Sequence, residues 1–199
     1  MILVLLIHNQ MCGIFCYLGK KYTIEQLIEA WRLINHRGPD EHYPPSVVTT
    51  YGENKLWFGF HRLKINGLDG VSQQPIICGS GRISLICNGE IYNHHELQKQ
   101  HNIKCHTHSD CEVIGQLYLK FGMDRTIRML NGVFGFVLYD RLMGKIYVAR
   151  DPIGIRPVFI GSNKGELIVA SEQKCFEPLG VSSQQLTPGT YQTFNLSGV

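Results

Sequence analysis

The sequence has no CxxC pair, no block of like charge, no internal repeat and no Pro/Gly/Ser-rich linker. Each absence removes a class of protein. The apolar run at the start, Ile2 to Ile7, is six residues long. A membrane span needs roughly 20 apolar residues and a signal-peptide core roughly 7–15, with a basic flank and a small-residue cleavage site. Neither pattern is met, so the expected location is cytoplasmic, with no membrane partner. Charged residues make up only 18% of the 199-residue chain, and the formal net charge is +3 with the basic residues scattered. That balance gives no footprint for nucleic acid. Seven cysteines form an odd set without regular spacing, which suits buried thiols in a reducing compartment better than a disulfide framework.

What is present is a large apolar fraction, 44%, enough for a packed core in one large or two small domains. Thr23 and Gln26 match a capping box, and Ile24, Leu27, Ile28, Trp31 and Ile34 recur at helical spacing, so residues 24–35 read as an amphipathic helix. The Gly38-Pro39 pair in "HRGPD" ends it. Ser109 and Glu112 suggest a second capping box ahead of Val113, Ile114, Leu117, Tyr118 and Phe121, and 124–130 reads as a shorter third helix. Strands are expected at 12–18, 56–60, 82–87, 102–107, 132–140 and 145–149, with a hairpin across 157–171. Several of these, notably Val133 to Tyr139, are apolar at consecutive positions, which marks a strand covered on both faces. The pattern implies an α+β sandwich, two sheets packed together with helices outside.

The local motifs each admit two readings. Asn88-Gly89 in "NGEIYNHHEL" is either a turn before a helix capped by Asn93, or a side-chain amide and a backbone N–H aimed together as an oxyanion hole needs. In "HTHSDCEVI" Ser109 caps a helix and Asp110 sits at the positive end of its dipole; the alternative role for Asp110 is a carboxylate placed for an ammonium group. Cys105, His106, His108 and Cys111 raise a zinc question, but their spacing matches no standard site and strand alternation would part them, so no metal is expected. Arg62 at a strand end is a solvated charge, or a planar fork for a carboxylate if it faces a pocket. "RDPIGIRP" is a turn-rich connector with Arg156 a candidate ion-pair partner.

Together, "MCGIF", "HRGPD", "HRLKI", "NGEIYNH", "SDCEV", "RDPIGIRP" and "VASEQKCF", in that order, resemble the glutaminase domain of asparagine synthetases from about Met11 onward. These are class II glutamine amidotransferases, within the N-terminal-nucleophile hydrolases. The resemblance implies a four-layer αββα sandwich. It also implies that Cys12 attacks the side-chain amide of L-glutamine to give glutamate and ammonia through a thioester, with the cysteine's own α-amino group as base. The Asn88 side chain and Gly89 N–H would hold the oxyanion. Arg62 would grip the glutamine carboxylate and Asp110 its ammonium, with Leu63, Lys64, Ile65, Asn66 and Glu90 lining the same pocket. Arg37 would lie in a loop that orders over the bound substrate. No cofactor is implied for this step; ATP and magnesium belong to a synthetase domain.

Such chemistry implies a working domain of 12–199, with residues 1–11 absent from the active chain. Translation from Met11 followed by its removal is the favoured route, ahead of cleavage of a longer extension. Nothing in the sequence resembles the SGGxDS-type pyrophosphate loop of a synthetase domain. The ammonia-accepting domain or subunit is therefore expected to be a partner. Two alternatives stand beside this expectation: an amidotransferase serving a different acceptor, and an inactive glutamine-binding module.

Overall fold

The computed structural model describes residues 11–64, 72–163 and 165–197. Two antiparallel sheets form the centre. The first runs in the order β10-β8-β9-β1-β3-β2, with β1 Gly13–Gly19, β2 Glu41–Tyr51, β3 Asn54–Arg62, β8 Phe159–Asn163, β9 Glu166–Ala170 and β10 Gln184–Gln185. The second runs β11-β7-β6-β5-β4, with β4 Ile76–Cys78, β5 Ile83–Ile91, β6 Gly132–Asp140, β7 Lys145–Arg150 and β11 Tyr191–Asn195.

Strand alternation divides the apolar side chains among three cores. Ile14, Cys16 and Leu18 of β1 meet Phe58 and Phe60 of β3 and Ile86, Val137 and Val148 of the other sheet in a dry layer between the sheets. Phe15 and Tyr17 face the opposite way, against Leu27, Ala30 and Trp31 of helix α1 (Ile24–Arg32) and Phe176 of a 3-10 segment (Gln173–Leu179). On the far side Leu85, Cys87, Phe134, Phe136 and Leu138 pack on helices α2 (His94–His101), α3 (Glu112–Phe121) and α4 (Met123–Met129). The layers stack α, β, β, α, as expected, and all seven residues of β1 are buried because both of its faces are covered. No helix among the described residues is long and apolar enough to cross a membrane.

The expected capping box of Thr23 and Gln26 is formed, but α1 stops at Arg32. Ile34 N–H bonds the Trp31 carbonyl at 3.2 Å, a tightened turn, and a 3-10 turn (Asn35–Arg37) follows. This turn carries Arg37 inward. The second capping box does not form. Helix α3 begins after Cys111 with no side-chain cap, and the Glu112 carboxylate instead accepts from His106 N, Thr107 N and Thr107 Oγ1. Those bonds also explain why 102–107 is a loop rather than a strand: its backbone donors are met by a buried side chain, and Ile103 N–H returns to Gln98. Asn93 starts α2, yet its amide bonds Met129 and Asn131 instead of capping.

Strand β2 is hidden in the sequence by Pro44-Pro45. It lies at the sheet edge and changes register at Tyr43/Ser46 and Val47/Thr49, the one sheet position where a residue without a donor is tolerated.

Candidate active site

Cys12 immediately precedes β1, and the register Gly13↔His61 sets it beside the end of β3. Its thiol lies against one peptide unit: Leu63 N–H donates to Sγ at 3.3 Å, and Sγ lies 3.5 Å from Leu63 O. Among the described residues no side-chain base touches this sulfur. Burial pushes the thiol up to about 11, although the Leu63 N–H and the charges of Arg156 and Arg62 pull the other way. With Met11 still joined to Cys12, about one thiol in 10⁴ is ionised at pH 7. Held this way, the sulfur is aligned but not activated.

The backbone at Cys12 is clamped from behind. Arg37, 4% exposed, donates from Nε to the Cys12 carbonyl at 3.0 Å and from Nη1 to Glu172 at 3.0 Å. Burial opposes ionisation of Glu172, but bonds from Lys174 and Arg37 hold its carboxyl below the usual range. This is a correction: Arg37 does not stand in a loop above the pocket but is fixed beneath Cys12, since the 3-10 turn directs it inward. Gly38 makes that turn possible, because a Cβ there would meet the His61 carbonyl carbon at 2.3 Å.

Arg62, Leu63, Glu90 and Asp110 line the cavity that holds Cys12, and the backbone of Gly89 reaches it too. Arg62 and Asp110 are buried, 4% and 5% exposed. They present one cationic and one anionic group to the same small space. Arg62 pairs with Glu41 at 2.9 Å, and Glu41 also holds Lys64 Nζ at 2.7 Å. Bonds from Lys64 and Tyr43 lower the Glu41 carboxyl to about 2. Lys64 thus serves Glu41, and its N–H bonds Asp40 at 2.7 Å. Asp110 Oδ2 accepts from Ile91 N at 2.6 Å, tying the start of α3 to the end of β5. Glu90 stands 3.9 Å from Arg156, the ion pair foreseen for that connector. Ile65 and Asn66 lie outside the described residues.

Asn88 and Gly89 are not a turn. They continue β5, pairing with Gly135 and Phe134 of β6. Gly89 is required there, since a Cβ would sit 2.3 Å from the Val133 carbonyl oxygen. Alternation sets Asn88 on the inter-sheet face with Ile86. It is 2% exposed, and its Nδ2 has no hydrogen-bond partner among the described residues. A buried amide left without an acceptor costs about 1–3 kcal/mol.

Sequence reading missed Gln74, whose amide bonds both Cys87 N and Cys87 O, at 2.6 and 2.9 Å, and stands in for a neighbouring strand along β5. It missed Glu41 and Glu172 as anchors, and Cys87 and Cys111 as cavity walls. The glutamates follow "HRGPD" and begin the last motif, but nothing local marks them as partners of arginines. Among the described residues no group of three His, Cys, Asp or Glu side chains could hold a metal ion.

The four-layer sandwich with a thiol at the head of a central strand is the fold that the motifs implied. The chain belongs to the glutamine amidotransferase domain family, which matches residues 11–196. It is 34% identical over 192 residues to a probable glutamine-hydrolysing asparagine synthetase of Acanthamoeba polyphaga mimivirus, covering 94% of this chain and 34% of that protein. It is 37% identical over 196 residues to the Homo sapiens asparagine synthetase, with the same coverages of 94% and 34%. The chain thus spans about a third of the length of the curated relatives it matches. In fold it is similar to the glutamine phosphoribosylpyrophosphate amidotransferase of B. subtilis, with TM-score 0.75 and 23% identity over 94% of this chain and 48% of that one.

Proposed function

We propose that this domain hydrolyses the side-chain amide of L-glutamine and hands the ammonia to a synthetase domain or subunit that makes asparagine. The observation that carries the reading is one small cavity lined by the Cys12 thiol, the buried Arg62 and Asp110, and the backbone of Gly89; one residue before Gly89, the buried Asn88 amide nitrogen has no partner among the described residues.

Residues 1–11 are removed in the active form, so that Cys12 becomes the first residue. The chemistry motivates this. A peptide nitrogen is no base, whereas a terminal amino group, with a reference pKa of about 7.7–8.0, is substantially free near neutrality. It takes the thiol proton as sulfur attacks the amide carbonyl. The oxyanion is held by Asn88 Nδ2 and Gly89 N–H. The ammonium then returns its proton to the departing nitrogen, ammonia leaves, and a thioester remains. Water cleaves it to glutamate and regenerates the thiol. Arg62 receives the substrate carboxylate and Asp110 its ammonium, a charge pair that rejects glutamine within a peptide; Leu63, Lys64 and Glu90 border the site. The half-reaction balances without a cofactor, and ATP and magnesium serve the synthetase step alone. Free thiols at Cys16, Cys78 and Cys175 suit a cytoplasmic setting.

The test joins intact-mass measurement to a glutaminase assay. The expected result is an active species beginning at Cys12 that yields glutamate. Turnover by a chain that still carries residues 1–11 would overturn the amine-as-base mechanism.

A further inference from the structure

Two thiols without a role in the reaction above line the same cavity as Cys12: Cys87 on β5 and Cys111 just before α3. They are 1% and 3% exposed and belong to one buried cluster. Cys111 Sγ points to the Gly89 carbonyl at 3.7 Å, and Gly89 lies two residues from Cys87 on the same face of β5. We propose that Cys87 and Cys111 form a vicinal dithiol that hydrogen peroxide converts reversibly to a disulfide, a modification site in the wall of the nucleophile's cavity.

The two thiols line one cavity and belong to one buried cluster, and the neighbouring Cys87 thiol, then burial, then Asp110 push the Cys111 thiol well above its ordinary value. A disulfide needs β-carbons about 3.5–4.5 Å apart, so the bridge requires the segment at Cys111 to close on β5 to that separation. The step balances as follows. One thiolate attacks a peroxide oxygen, the O–O bond breaks, and a sulfenic acid and hydroxide form. The second thiol attacks that sulfur, the S–O bond breaks, and water leaves; two thiols and one peroxide give one disulfide and two waters. Because the attacking species is the thiolate, the reaction speeds up as the pH rises. Cys16 and Cys175, both fully buried, lie away from this cavity and stay reduced.

Bridging draws Cys111 toward β5 and shifts its neighbour Asp110, whose Oδ2 is 2.6 Å from Ile91 N. On the glutaminase reading, on which this consequence rests, the glutamine KM rises about threefold to tenfold while kcat holds. The experiment treats the full chain with hydrogen peroxide at pH 7 and 8, alkylates the remaining thiols and maps unreduced peptides by mass. A Cys87–Cys111 linked peptide is expected, lighter by two hydrogens, reversed by dithiothreitol and missing from Cys111→Ser and Cys87→Ala. Recovery of both thiols as alkylated, or a bridge from either to Cys12, overturns the site. A bridge with unchanged KM overturns its coupling to substrate binding. A bridge in a protein that never hydrolyses glutamine upholds the site and counts against the glutaminase reading.

Discussion

The cavity has two unlike walls. On the β1/β3 side the charges are ion-paired, Arg37 with Glu172, Arg62 and Lys64 with Glu41, although Arg37 Nη2 has no hydrogen-bond partner among the described residues. On the β5/α3 side Cys87, Gly89, Ser109 and Cys111 are neutral and the acidic residues are Glu90, 3.9 Å from Arg156, and Asp110; next to Gly89 on β5, the buried Asn88 amide nitrogen has no partner among the described residues. The first wall holds a sulfur in place. On the glutaminase reading proposed above, the second supplies the donors for the oxyanion. Ion pairs buried behind a nucleophile fix geometry, since an arginine fork bonded to both a carbonyl and a carboxylate has one orientation. An unmatched donor costs stability in the resting protein and is recovered when an oxyanion forms.

Substitutions on each wall test this division. Cys12→Ala should lower glutamate production by about 10⁴-fold or more while leaving the urea midpoint near wild type; equal loss of both would mean that Cys12 is a structural residue. On the opposite wall, Asn88→Ala should lower kcat by about 10²–10³ and leave or raise stability, because the variant no longer buries a lone amide. A fall in stability with kcat intact would erase the contrast between the walls.

Acid should loosen the first wall before the second. His61 is buried, stacked on Trp31 at 4.0 Å, and its Nε2–H donates to the Trp31 carbonyl at 3.0 Å. Its Nδ1 therefore accepts from His42 Nδ1–H, at 2.7 Å. Burial above all lowers the His61 pKa to about 4. Above about pH 6.5 both folded and unfolded forms are neutral. As pH falls from there toward 4 the unfolded chain alone binds the proton, and up to about 3 kcal/mol of stability is lost. Urea unfolding at pH 7, 5.5 and 4 measures the slope, which His61→Gln should flatten; a wild-type curve flat across that window would contradict the assignment. Glu41 acts lower, its contribution being lost below about pH 4.5, as it protonates toward about 2.

The smallest effect is expected from Glu172→Gln. It keeps the hydrogen bond to Arg37 but removes the charge, so kcat should fall roughly tenfold with KM little changed. An effect on KM instead would move Arg37 back toward the substrate.

Legibility followed the range of the interactions. The α1 cap and β6, whose bounds 132–140 match the expectation, depend on neighbours within a few residues or on a continuous apolar run. The Ser109–Glu112 pair has the same local signature as Thr23–Gln26, yet Glu112 serves residues 106 and 107, because burial of that carboxylate among loop N–H groups outcompetes a single cap bond. Strand β2 escaped notice because two prolines contradict a strand until its place at the edge is known. Cys12, Arg62 and Asp110, named from their motifs, line one cavity, Asn88 lies buried on β5 next to Gly89, and Arg37, expected in a loop over the pocket, sits in a 3-10 turn behind Cys12.

By itself the sequence determined which faces had to be buried and which chemical groups were available: the 3.6 and 2.0 periodicities and the residue types need no partner to be read. Only the tertiary structure decided which arginine backs the sulfur, which buried donors, the Asn88 amide among them, stay without a partner among the described residues, and which three thiols share one cavity. Those facts join residues far apart in the chain, from 12 to 172, and hydrogen bonds and ion pairs at 3 Å are set by packing, which no local pattern encodes.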